Sequence, residues 1–369
     1  MSSLSKDAQR DYVRSMRFRE PSGEDAEAVR VAFDSRPLSD PHGVGRYSRC
    51  LLEALRKTAS AGDEVLETHR PSAIARSRNA EVFHSPWMAG AMLHSPCPMI
   101  VTVHGLGALK RRSELLRTGM RLRLRHLAVQ RAVTVIVPTE TVAEDTVAYL
   151  RVARERIVVI SEAADAAMYP RPQEEVAAVR ARFGLPDRYM LWVGGLQHPD
   201  PGRHLAELAG ARRELALVLV GSTRPWAHEL PNVHLTGQVS DEQLAALYSG
   251  AHALVLPSRY EGFGLAAVEA LACGTPVVAF EGPALREVLG ERATFVEAGD
   301  IDALVAAAEG AQRPAPDALA WSWEDAARAT WQVYEAAHAD AAEPRAAVRA
   351  TRRSTGTAQA PGIDGLEAQ

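Results

Sequence analysis

Residues 254–279 read LVLPSRYEGFGLAAVEALACGTPVVA. An apolar, strand-forming run stops at Pro257, and a short loop carries Glu261-Gly262-Phe263-Gly264. A helix-forming stretch follows, with Glu269 about a turn and a half in. The first N–H groups of that helix, from Gly264 and Leu265, have no partner inside it. They form an anion site suited to a diphosphate. Glu261 at the mouth and Glu269 on the helix offer two carboxylates to the hydroxyl-rich parts of one ligand. Taken alone, the spacing also fits two surface carboxylates favoured by the helix dipole.

The same alternation extends in both directions. Upstream, VRVAFDS (29–35), EVFHSP (81–86), MIVTVHG (99–105), AVTVIVP (132–138) and RIVVISE (156–162) read as strands. GVGRYSRCLLEALRK (43–57) and TVAEDTVAYL (141–150) read as helices between them. After the proline-containing stretch 169–186 a second set begins: YMLWVGG (189–195), LALVLVG (215–221), NVHLTG (232–237), AHALVLP (251–257), TPVVAF (275–280) and ATFVE (293–297). Helices are expected between them at 202–213, 241–250, 264–273, 283–289 and 300–309. Short β-branched runs separated by helices predict parallel sheets covered on both faces. The chain is therefore α/β, two tandem doubly wound domains facing a central cleft, with the ligand at the carboxyl ends of both sheets. Residues 1–28 read as a loose extension, 29–168 and 169–318 as the two domains, and 319–338 as a helix across their junction. Residues 339–369 read as a disordered tail.

Composition narrows the function classes. A chain of 369 residues is long enough for two cores, and 47% hydrophobic with 24% charged residues is ordinary for a globular protein. The net charge of −4 argues against a dedicated nucleic-acid binder. No apolar run approaches the ~18–20 residues of a membrane span, and no secretory leader is expected at the start. The three cysteines are scattered and read as reduced thiols of a cytoplasmic protein. Lysine occurs only at positions 6, 57 and 110, so arginine carries most of the positive charge.

The segments GQVSDEQLAALYSGAHALVLPS and EGFGLAAVEALACGTPVVA together resemble the signature of the retaining glycosyltransferases of family 4, which have the GT-B fold. GVGRY, VTVHG, VIVPTETVAED, RIVVI and YMLWVGGLQHPDPGRH extend the resemblance over 29–337. It implies a Rossmann-like acceptor-side domain followed by a Rossmann-like domain that binds a nucleotide sugar. Glu269 then matches the glutamate on the ribose hydroxyls, and Glu261 the one near the donor sugar's anomeric end. Phe263, Gly264 and Leu265 match the loop whose amides meet the diphosphate and sugar. Arg203 stands where the family usually has a lysine, and Val239 where the backbone meets the nucleobase. Gly43 matches a loop approaching the phosphates from the other domain, and His104 a histidine close to the transferred sugar. Gly195 departs from the family, which often has arginine there.

The resemblance implies a retaining transfer of a hexose from a nucleotide diphosphate sugar to a hydroxyl acceptor, with a cell-surface glycan or lipid-linked precursor expected. No further cofactor is expected, and no metal. The chain's Asp-x-Asp, Asp300-Ile301-Asp302, reads as a helix N-cap. The basic segment 110–131, with eight Lys and Arg against Glu114, fits transient contact with an anionic membrane surface or a solvated face. His84 reads as a satisfied histidine at a strand end, and Trp321 and Trp323 as anchors of the last helix. A non-catalytic GT-B subunit supporting a partner transferase is the alternative that the changed phosphate turn, Gly195 with Arg203, keeps open.

Overall fold

The computed structural model describes residues 28–70, 80–107, 123–197 and 199–355. Two six-stranded sheets carry the chain, and every strand pairing in them is parallel. The first sheet contains β1 (Arg30–Asp34), β2 (Glu64–Thr68), β3 (Val82–Ser85), β4 (Met99–Thr102), β5 (Thr134–Val137) and β6 (Ile157–Val159), in the order β2-β1-β3-β4-β5-β6. The second contains β7 (Tyr189–Val193), β8 (Ala216–Val220), β9 (Val233–Gly237), β10 (Ala253–Leu256), β11 (Val277–Phe280) and β12 (Ala293–Val296), ordered β12-β11-β10-β7-β8-β9. The interior strands β3, β4, β10 and β11 are buried at every residue. Helices on both faces require that, and it explains why β10 and β11 are continuously apolar, while the polar ends of β3 and β4, His84-Ser85 and Thr102, are buried as well.

Strand order reverses between β1 and β3 in the first sheet and between β7 and β10 in the second. Outside the carboxyl ends of such strands the flanking connections diverge and leave a crevice. The loops after β1, β7 and β10 open there, and they carry His42-Gly43, Gly194-Gly195 and Ser258–Gly264.

The last helix, Trp323–Thr355, returns to the first domain. Trp323, Trp331 and Tyr334 share a core with Phe33, Tyr47 and Leu55. Trp331 Nε1 donates to the Leu55 carbonyl at 3.2 Å, and Trp321 Nε1 to that of Ser161 at 2.8 Å. His84 is fully buried, with Tyr334 Oη 2.6 Å from Nδ1 and Thr102 Oγ1 2.9 Å from Nε2, so it is a satisfied core histidine.

Three differences from the sequence reading stand out. The tail expected to be irregular from 339 continues as helix to Thr355, because the stretch is rich in Ala, Glu and Arg, all good helix formers. The stretch 169–186 holds a helix, Gln173–Phe183, that buries only Val176 and so lacks an apolar stripe. Its boundaries are nonetheless marked by Pro172 and by Gly184 in the left-handed region at φ 61°. The expected helix 202–213 is a short 3₁₀ turn, Pro201–Arg203, followed by Leu205–Gly210. Of the basic segment 110–131, residues 110–122 lie outside the described residues, and 123–129 are helical.

Candidate active site

Between the two domains lies a cleft of about 700 Å³. From the second domain its wall includes Gly195, Arg203, Val239, Glu261, Gly264, Leu265 and Glu269, and from the first domain His42, Gly43 and Arg46. Strand β10 aims this loop at the cleft, and Gly264 turns it into the helix Leu265–Ala272. Gly264 has φ +90°, which favours glycine, and a Cβ there would also press on Leu285 Cδ2 at 2.5 Å. No side chain caps this helix, which leaves its first N–H groups open to the cleft. Phe263 is not part of the cleft wall; its ring is buried in the second domain's core and anchors the loop from behind.

Glu269 projects from that helix into a dry position, 2% exposed. Its Oε2 accepts from the Tyr248 hydroxyl at 3.2 Å. Its Oε1 lies 3.1 Å from Arg46 Nε yet accepts no aligned hydrogen bond among the described residues. Arg46 also pairs with Asp165 at 3.3 Å and with Asp241, so one guanidinium from the first domain faces three carboxylates. Burial pushes the Glu269 carboxyl up to about 7, with the Arg46 charge opposing it. Glu261 is also pushed up by burial, against the pull of Arg203 and a Ser258 hydrogen bond. Arg203 donates to the Gly195 carbonyl at 3.2 Å and lies 5.8 Å over the Trp192 ring.

A smaller cavity of about 260 Å³ adjoins the cleft, and Glu261 and Ser258 line both. His104 opens into the smaller one. Both its ring nitrogens are engaged, Nδ1 at 2.9 Å from Glu162 Oε1 and Nε2 at 2.8 Å from the Pro86 carbonyl. Proton transfer through this ring would first have to break one of those bonds.

The domains meet at Gly262 and Glu287. A Cβ at 262 would fall 1.6 Å from the His104 carbonyl oxygen. Thr139 Oγ1 donates to the Gly262 carbonyl at 3.0 Å. Glu287 accepts from the amides of Glu140 and Thr141, at 2.7 and 3.0 Å, and so caps a helix of the other domain.

Arg46, His42, Tyr248 and Glu287 were not singled out as site residues by sequence reasoning. The usable signal for the first two was their place flanking the start of a helix that opens at the crevice. Tyr248 lies within the segment 237–258 that carries the family resemblance, whereas Glu287 carries no local motif.

Residues 19–167 match the family described as Glycosyltransferase Family 4, and residues 187–311 match Glycosyl transferases group 1. The chain belongs to the family 4 glycosyltransferases. It is 28% identical to the MMP α-(1→4)-mannosyltransferase of Mycolicibacterium hassiacum over 87% of this chain and 76% of that one. It is 29% identical to O-antigen chain mannosyltransferase B of Escherichia coli, over 41% of this chain and 44% of that one. Among solved structures, Anabaena HepE in complex with UDP and glucose has the same fold, with TM-score 0.60 at 14% identity over 86% of this chain and 100% of that one. This family 4 glycosyltransferase thus has the GT-B fold expected of its sequence.

Two outcomes follow from the geometry. Because Glu269 holds its proton to a higher pH folded than unfolded, the native state binds more protons between about 4.5 and 7. Stability therefore falls as pH rises through that window and levels above it. Urea unfolding from pH 5 to 8 will show this slope, and Glu269→Gln will flatten it. Gly262→Ala will hold the domains apart, which small-angle scattering reads as a larger radius of gyration with and without nucleoside diphosphate.

Proposed function

We propose that this glycosyltransferase moves a hexose, with retention of anomeric configuration and without a metal, from a nucleotide diphosphate sugar to a hydroxyl acceptor. The observation that carries the reading is the pairing of an uncapped helix start at Gly264–Leu265 with a buried, under-bonded Glu269 further along the same helix. The first suits a diphosphate. The second suits a ribose hydroxyl, which donates the hydrogen bond that Glu269 Oε1 lacks.

Cleaving the sugar–phosphate bond builds negative charge on the departing diphosphate and positive charge on the anomeric carbon. The open amides and Arg203 stabilise the first without a divalent ion. Of the Asp-x-Asp that could suggest a metal, Asp300-Ile301-Asp302, Asp300 instead accepts the Ala303 amide at 2.9 Å as an N-cap. Glu261, where the two cavities join, sits where it can accept from sugar hydroxyls and face the developing cation. The departing phosphate takes the acceptor's proton as the acceptor attacks from the same face, so no covalent nucleophile is assigned. His104 shapes the sugar pocket, and Val239 and Gly43 border the nucleotide.

The acceptor is a growing glycan or a lipid-linked precursor, at the cytoplasmic face of a membrane. Support comes from the two mannosyltransferase relatives, one of them an O-antigen enzyme. It also comes from Arg123 and Arg125 lying beside exposed Leu124 and Leu127, a pattern that suits an anionic lipid surface.

The test is a thermal-shift series with UDP, GDP, dTDP and ADP, with and without EDTA, followed by NMR of the anomeric product from the matching nucleotide sugar. A shift that survives EDTA, and a product of unchanged configuration, are the expected results. A protein that binds none of the four is instead a non-catalytic subunit. Glu269→Ala will weaken the nucleotide by about 1.5–3 kcal/mol in calorimetry, the cost of a hydrogen bond to a charged group. Arg203→Ala will lose more turnover than Arg203→Lys, measured as donor hydrolysis, because charge contributes more here than fork geometry.

A further inference from the structure

The first domain reaches the cleft through His42, the residue before the helix Gly43–Thr58. Its imidazole lies over Gly195. A Cβ at 195 would fall 2.9 Å from the ring Cε1 and 3.0 Å from Nδ1, so the ring fills the volume a side chain would need. Arg203 donates to the carbonyl of that same glycine. An imidazole from one domain and a guanidinium from the other therefore flank one residue at the wall of the cleft.

The ring's proton can be placed by following its neighbours. Arg224 Nε, which can only donate, is 2.9 Å from Gln197 Oε1 and fixes the orientation of that amide. The Gln197 amide nitrogen is then the atom 3.0 Å from His42 Nε2, and Ser222 Oγ lies 3.2 Å from the same nitrogen. His42 Nε2 is thus an acceptor, and the hydrogen of the neutral ring sits on Nδ1. Nδ1 has no partner among the described residues, although the backbone is tied by His42 N to Asp40 Oδ1 at 2.9 Å.

We propose that the His42 Nδ1–H donates to the terminal phosphate of the bound nucleotide diphosphate, beside Arg203 but from the opposite domain, and that Gly195 is small to admit the ring. The inference rests on the nucleotide-sugar reading of this cleft. It changes the meaning of glycine at 195: the donor missing from that position is supplied by the opposite domain. A group on the first domain then strengthens its contact as the domains approach, so the leaving phosphate is gripped from both sides only in the closed enzyme.

The experiment is a double-mutant cycle on the full chain, using calorimetry with nucleoside diphosphates and the corresponding monophosphates of uridine, guanosine, thymidine and adenosine. His42→Ala will weaken the preferred diphosphate about tenfold to a hundredfold and move the monophosphate by less than about twofold. Gly195→Ala will produce the same selective loss by displacing the ring, and adding it to His42→Ala will cost nothing further. His42→Asn, which keeps an N–H donor, will recover part of the diphosphate affinity. Equal losses for mono- and diphosphate, or additive losses in the double variant, would overturn the assignment of His42 alone. A wild-type chain that binds no nucleotide overturns the assignment together with the reading beneath it. A wild-type preference for diphosphate that survives His42→Ala overturns only the former.

Discussion

One guanidinium organises the interior of the cleft. Arg46 leaves the first domain, is 14% exposed, and sits among Asp165, Asp241 and Glu269. Three carboxylates brought this close without a cation would repel one another, and burial would protonate the most enclosed of them. Removing one partner from a buried ionic cluster costs several kcal/mol, because the others stay behind uncompensated. The domains therefore cannot separate at this point without rehydrating charges. The same cation keeps Glu269 poised between its two protonation states instead of neutral. One carboxylate, Glu269, thus both lines the cleft and joins the domains, so its charge bears on both.

Around that cluster, two helix starts face each other across the cleft, at Gly43 and at Leu265. Neither is capped by its own side chains, and each brings partial positive charge to the cleft. The fold supplies this arrangement without special residues. Both sheets reverse strand order inside the sheet, between β1 and β3 and between β7 and β10, and the connections leaving the reversal points open a crevice at the carboxyl ends of the strands.

What could be read from the sequence follows from how each signal arises. The interior strands were legible because burial on both faces leaves continuous apolar runs, as in ALVL at 253–256. The edge strand β2, EVLET at 64–68, was not, because an edge with little cover keeps its glutamates. The helix Gln173–Phe183 was missed for a related reason, having a single buried side chain and no stripe. At the site, Glu261, Gly264 and Glu269 were legible through the resemblance of their whole segment to family 4, since their spacing alone also fits surface carboxylates. Arg46 and Glu287 were not, because their partners lie a hundred or more residues away, most of them in the other domain, beyond the reach of any local spacing. His104 was found by its motif, yet only coordinates show that both nitrogens are already bonded.

The return of the last helix to the first domain gives the molecule a mechanical property. The chain passes between the domains twice, once after β6 and once before Trp323, and Trp321 hydrogen-bonds Ser161 where the two passages run side by side. Two adjacent tethers define an axis. Rotation about that axis opens and shuts the cleft, whereas sliding one domain along the other, or twisting them in opposite senses, stretches one passage against its neighbour. The wiring of the chain thus restrains sliding and twisting between the domains more than it restrains rotation about the line of the two passages.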